Sequence, residues 1–150
     1  MKTRHTLEVP SDSVYPIYPE TEGRPVTQKR LSLAKWQARR VFDERLVLAK
    51  RRFSNYAVRK YRCKPQQIAF DDAGAKKRIR EAILFYDDET LLGRTDGETI
   101  EICGVCEMTH PELVGTLIHE AMHSWCRVRG NFMPCIREHY CMSRCGDPNE

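Results

Sequence analysis

Long apolar runs are missing from this 150-residue chain. None approaches the roughly 20 residues a helix needs to cross a bilayer, which argues against a membrane partner. The first residues, MKTRHTLEVPSDS, lack the apolar stretch of a secretory signal. The expectation is therefore a soluble protein inside the cell, in cytoplasm or nucleus, with mostly reduced thiols. Its seven cysteines are an odd number, so at least one is unpaired within a monomer. No internal repeat or low-complexity run is present, which excludes solenoids and fibrous arrays. Apolar residues are also scarce for a compact globule, at 41%. Part of the chain is expected to lie outside the core. The length suits one domain, or a small domain with an arm.

Acidic residues are scarce in the first half. Residues 1–80 carry 20 Lys and Arg against 8 Asp and Glu, whereas residues 81–150 carry 5 against 13. A basic half joined to an acidic half suggests a polyanionic partner for the first, or a basic solvated helix packed beside an acidic core.

Prolines mark out the arm. Pro10, Pro16, Pro19 and Pro25 break any helix, so residues 1–26 read as extended or disordered and 27–150 as the folded domain. From Thr27 the apolar residues Leu31, Ala34, Ala38, Phe42, Leu46, Ala49, Phe53, Ala57 and Tyr61 recur every three or four positions. That period predicts a long basic helix, with a break near Ser54-Asn55. Strand signals follow at QIAFD (67–71), at AILFY (82–86, or the end of a helix begun at Ala75) and at TIEIC (99–103) after the Asp96-Gly97 turn. The fold class is α+β: a long N-terminal helix, a small, mostly antiparallel sheet of about three strands, a helix over 110–129 and a short helix over about 136–144. Thr109 and Glu112 form a capping box, with Pro111 in the first turn and Gly130 as the stop.

Histidine is sparse, five in all, yet two stand four apart in His119-Glu120-Ala121-Met122-His123. On a helix that spacing puts both imidazoles on one face, able to bind one zinc ion. Glu120 lies about 100° round the axis. Its carboxylate is then beside the metal rather than on it, placed to take a proton from an attacking water. Leu117, Ala121, Trp125, Val128 and Val114, with Ile118, form an apolar stripe opposite the histidines. A helix packed on one side and lining a site on the other is the expectation.

A catalytic zinc ion usually has three protein ligands. His5 lies in the arm, and His110 is more than two turns before His119 on the same helix. His139 is the favoured third ligand, with Glu138 beside it as the alternative. Cys126, three residues after His123, falls near His119 on the helical wheel and is a further candidate for ligation or for packing under the metal.

The stretch LLGRTDGETIEIC, then HPELVGTLIHEAMHSW, then a histidine about fifteen residues on, resembles the SprT-like family of zinc metalloproteases. The basic helix followed by QIAFD is similar to that family's N-terminal layout, and the likeness covers residues 28–145. It implies a zincin-like fold, His119, His123 and His139 as zinc ligands, Glu120 as general base, and hydrolysis of peptide bonds in a protein or peptide substrate. Family members include proteases acting on DNA-bound proteins, which would give the basic half a purpose. TIEIC, the HExxH motif and the Cys126-Arg127 pair are also similar to a mitochondrial intermembrane-space protease family that helps assemble ATP synthase.

The remaining signals are weaker. Cys103-Gly104-Val105-Cys106 has the spacing of a zinc knuckle or a redox pair. With Cys135, Cys141 and Cys145 it could hold a second, structural zinc or form disulfides, and small buried thiols are the simplest reading. On the basic helix, Arg39, Arg40, Arg51 and Arg52 are candidate phosphate contacts, with Trp36 and Tyr56 off the apolar stripe and able to stack on bases. A zinc-stabilised nucleic-acid-binding or adaptor module without turnover is the competing function.

Overall fold

The computed structural model describes residues 23–128 and the backbone of the short strand at 131–132. The chain enters through residues that already join the core. Arg24 and Met108 exchange main-chain hydrogen bonds of 3.0 and 3.1 Å, Val26 N donates to Gly104 O, and the Val26 side chain is buried. Helix α1 (Gln28–Tyr61) then starts at Thr27, whose hydroxyl accepts from Arg30 N at 3.2 Å. Its 34 residues span about 51 Å. The expected break near Ser54-Asn55 does not occur. Phe53 and Ala57 stay on the buried stripe, so packing carries the helix through that pair. It ends where Arg62 turns into the left-handed region at φ 52°. Leu31, Ala34, Ala38, Phe42, Ala49, Phe53 and Ala57 are buried as their period requires. Arg45, three positions after Phe42 and four before Ala49, shares that face and is buried, as is Gln37 beside Ala38.

Strand β1 (Ile68–Phe70) leads into helix α2 (Asp72–Arg80), capped by the Asp71 carboxylate, which accepts from Gly74 N at 3.0 Å. The ambiguous 75–86 region therefore holds both structures: α2 first, then strand β2 (Ile83–Phe85). Strands β3 (Gly93–Thr95) and β4 (Ile100–Cys103) form a hairpin. Gly97 takes φ 98° at its tip, where the Asp96 carboxylate accepts from the amides of Glu98 and Thr99 at 2.9 and 2.8 Å.

Helix α3 (His110–Ala121) begins with the expected capping box: Thr109 Oγ1 accepts from Glu112 N at 3.2 Å, and Glu112 Oε1 accepts from Thr109 N at 3.1 Å. It stops earlier than position 129. A 3₁₀ turn (Met122–Ser124) is followed by strands β5 (Cys126–Val128) and β6 (Asn131–Phe132). Tertiary packing explains the change. Trp125 is fully buried among Phe42, Phe53 and Phe70, with ring centroids 6.0, 5.1 and 4.5 Å away. Its indole N–H donates to Asp72 Oδ1 at 2.8 Å, and its carbonyl accepts from Asp71 N at 2.7 Å. Those bonds pull the chain off the helix axis, so that β5 pairs with β1.

The described strands form two three-stranded sheets rather than one. The order β1-β5-β6 is antiparallel, whereas β2-β4-β3 is mixed, because β2 runs parallel to the central β4. Ile100 and Ile102 of β4 and Val114, Leu117, Ile118 and Ala121 of α3 are all fully buried, joined by the stripe of α1. No helix among the described residues is long and apolar enough to cross a membrane. The short helix expected over 136–144 lies outside the described residues.

Candidate metal centre

The last turn of α3 and the 3₁₀ turn after it carry His119, Glu120 and His123. Each offers a ligand atom, and these atoms lie within 4.8 Å of one another. The group could hold a metal ion, and it is the only such cluster of three among the described residues. The imidazoles are partly exposed, with centroids 5.2 Å apart and planes at 72°. Half-open rings above a buried helix stripe suit ligands that an incoming ion must reach.

Glu120 differs from both histidines in being buried. Its two oxygens stand 3.9 Å from the Nε2 atoms of His119 and His123. That is too long for direct hydrogen bonds, so the carboxylate lies beside the imidazoles without being consumed by them. Burial pushes the carboxyl up from its ordinary 4.5 to about 7. Withdrawing a carboxylate from water disfavours its charged form. A divalent cation between the imidazoles would offset that penalty, which is how such a donor set fits a metal.

Two contacts hold this turn in place. The buried Arg78 guanidinium of α2 donates to Ala121 O at 2.8 Å, satisfying a carbonyl at the helix end. The β3–β4 hairpin lies alongside. A Cβ on Gly93 would meet Thr116 Cγ2 at 2.8 Å and Glu120 Cγ at 3.2 Å, and one on Gly97 would meet Ser124 Oγ at 3.0 Å. β3 therefore follows α3 from Thr116 to just past His123, and only glycine lets its backbone approach Glu120 so closely. Beyond Ser124 opens a cleft of about 670 Å³ whose walls include Lys77, Arg78, Glu98, Thr99 and Arg127. The histidines do not line that cleft; it abuts them through Ser124.

Of the candidate third ligands, His139 and Glu138 lie outside the described residues, as do His5 and Cys135, Cys141 and Cys145. The wheel argument for Cys126 fails, because the helix ends at Ala121. Cys126 instead sits buried in β5 opposite Phe70 and is not in the metal-binding group. His110 is buried and hydrogen-bonded to Gln37. The CxxC residues are neither separate thiols nor metal ligands here. Their Cα atoms are 5.4 Å apart and the sulfurs are joined as a disulfide. On α1, Arg40, Arg51 and Arg52 are exposed and Arg39 is half-buried, with Arg40 3.7 Å from Glu44. Trp36 is exposed and Tyr56 is half-buried under Lys60, which lies 5.3 Å from its ring.

Sequence reasoning missed Arg78 and Gly93. Neither has a local signal: each matters only because α2 and β3 are brought against α3. In comparisons with family models, curated proteins and solved structures, no match was found, so the SprT-like resemblance rests on the motif and its surroundings alone.

Proposed function

We propose that this protein is a zinc-dependent metallopeptidase of the HExxH, SprT-like kind with a zincin-like fold. The observation that supports it most is the pairing of two half-open imidazoles with a buried carboxylate at the end of α3. His119 and His123 would hold the ion, and His139 is the proposed third ligand. Bound zinc supplies a Lewis acid that polarises a peptide carbonyl and acidifies water. Glu120 supplies the proton traffic. One of its oxygens accepts a proton from the attacking water, and the resulting acid hands it to the leaving amine nitrogen. Among the described residues β3 is an edge strand beside Glu120, a position from which its backbone could pair with an extended substrate.

The test combines metal content and one substitution. Native mass spectrometry is expected to find one zinc ion per chain on this site. Glu120→Gln is expected to retain zinc and lose hydrolysis of an unfolded protein substrate. Full activity in that variant sinks the assignment.

A second reading draws on the exposed Arg40, Arg51, Arg52, Arg59 and Lys60 of α1. It is a zinc-stabilised nucleic-acid-binding or adaptor module without turnover. Stoichiometric zinc and salt-sensitive DNA binding, with no hydrolysis of any unfolded protein, would favour it. Both properties together would instead suit a peptidase acting on nucleic-acid-bound proteins.

A further inference from the structure

The proposed hydrolysis makes no use of the Cys103–Cys106 pair at the end of β4. A bridge across so short a loop removes little freedom from the unfolded chain, so it is a weak staple. Its surroundings point to chemistry instead. Cys103 is fully buried, whereas Cys106 is 7% exposed and follows the exposed Val105. Cys103 Sγ accepts a hydrogen bond from Cys106 N at 3.1 Å. Main-chain carbonyls face both sulfurs: Asp88 O is 3.5 Å from Cys103 Sγ, while Glu89 O and Leu91 O are 3.5 and 3.6 Å from Cys106 Sγ. A disulfide has no hydrogen to give these acceptors, but two thiols have. The same cage therefore accommodates the bridge and offers an acceptor to each thiol of the reduced pair.

We propose that Cys103–Cys106 is a thiol–disulfide exchange site whose co-reactant is a dithiol able to close its own disulfide. The co-reactant's thiolate attacks Cys106 Sγ, the sulfur of the less deeply buried residue. A new S–S bond forms there, the Cys103–Cys106 bond breaks, and its electron pair leaves on Cys103 Sγ. The Cys106 amide N–H already points at that atom and stabilises the departing thiolate. The co-reactant's second thiolate then attacks its own bridged sulfur, closes the co-reactant's disulfide and releases Cys106. Two electrons pass to the protein, and the two protons of the dithiol end on Cys103 and Cys106. Both then donate to the carbonyls around them. The proposal is independent of the metal centre.

The test uses the folded, full-length chain with dithiothreitol as the dithiol. Acid-quenched samples are alkylated, and the label on each cysteine is mapped by mass spectrometry. Cys103 and Cys106 are expected to gain label together without denaturant. Protein isolated with both thiols free is expected to close the bridge with oxidised dithiothreitol. A monothiol, glutathione, should be trapped on Cys106 at least about tenfold more often than on Cys103. With oxidised glutathione, whose own disulfide the remaining thiolate attacks to release one glutathione thiol, Cys103→Ser should form the mixed disulfide faster than Cys106→Ser, and the wild-type trapping decides the matter if either variant does not fold. A bridge that yields only after unfolding, one that does not re-form, or equal trapping at the two sulfurs overturns the proposal. So does labelling that appears only after a chelator removes a metal, since the pair would then be thiolate ligands.

Discussion

Glu120→Gln is expected to stabilise the metal-free protein, and only above acidic pH. The carboxyl is pushed from 4.5 to about 7 by burial. Between those values the folded chain holds a proton that the unfolded chain has released. Stability therefore falls as pH rises through the window, and the loss is complete above about pH 7. The interval corresponds to about 3 kcal/mol. Glutamine keeps the shape and carries no charge to bury, so the variant escapes the loss. In a chain of this size that difference is on the order of 10 °C in Tm. The assay is thermal unfolding in a chelator, at pH 4.5 and pH 8, for wild type and variant. The variant should melt well above wild type at pH 8 and close to it at pH 4.5. Saturating zinc should shrink the gap at pH 8, because the cation lets the carboxylate remain ionised. Equal melting at pH 8, or a gap that does not change with pH, would refute the claim that Glu120 is destabilised by being buried at the site.

Gly93→Ala is expected to lower stability by about 1–3 kcal/mol, because its Cβ would press on Thr116 and Glu120. Activity should fall further than the folded fraction does, which separate melting and turnover measurements would show. Arg78→Met should lose about 2 kcal/mol by leaving Ala121 O without its charged donor. It should also weaken zinc binding, read by titration, since Ala121 lies between the two ligand histidines. His139→Ala should reduce zinc affinity by at least about a hundredfold, whereas Glu138→Ala should leave it unchanged. The reverse pattern would make Glu138 the ligand.

The parts of the site that were legible are those written in local geometry. A four-residue spacing places His119 and His123 together on any helical turn, and Thr109 with Glu112 marks the helix start without help from the rest of the chain. The helix end was illegible for an equally physical reason. Trp125 and Val128 continue the period of Val114, Leu117 and Ala121, so the pattern reads as helix. What decides is the aromatic cage of Phe42, Phe53 and Phe70, together with β1, which needs a partner strand. Burial satisfies either conformation, and periodicity alone cannot tell them apart. The parallel pairing of β2 with β4 is hidden in the same way, since a short apolar run does not encode its direction. Gln37 is buried through packing that its position on the helix did not announce, whereas Arg45 shares the face of Phe42 and Ala49 and only its charge hid that.

The early end of α3 changes how the site must work. A continuous helix would have carried Cys126 round to the metal face and allowed a ligand set drawn from one element. With β5 beginning at Cys126, His119 and Glu120 come from α3 and His123 from the 3₁₀ turn, while Arg78 bonds Ala121 O and Gly93 lies against Glu120 from separate elements. In the proposed zinc site His119 and His123 would supply two of the three protein ligands that a catalytic ion usually has, with His139 as the proposed third. If the proposed ion binds there, it would stabilise the charge of the same buried Glu120 that weakens the metal-free fold, so metal should raise the melting temperature more at pH 8 than at pH 4.5.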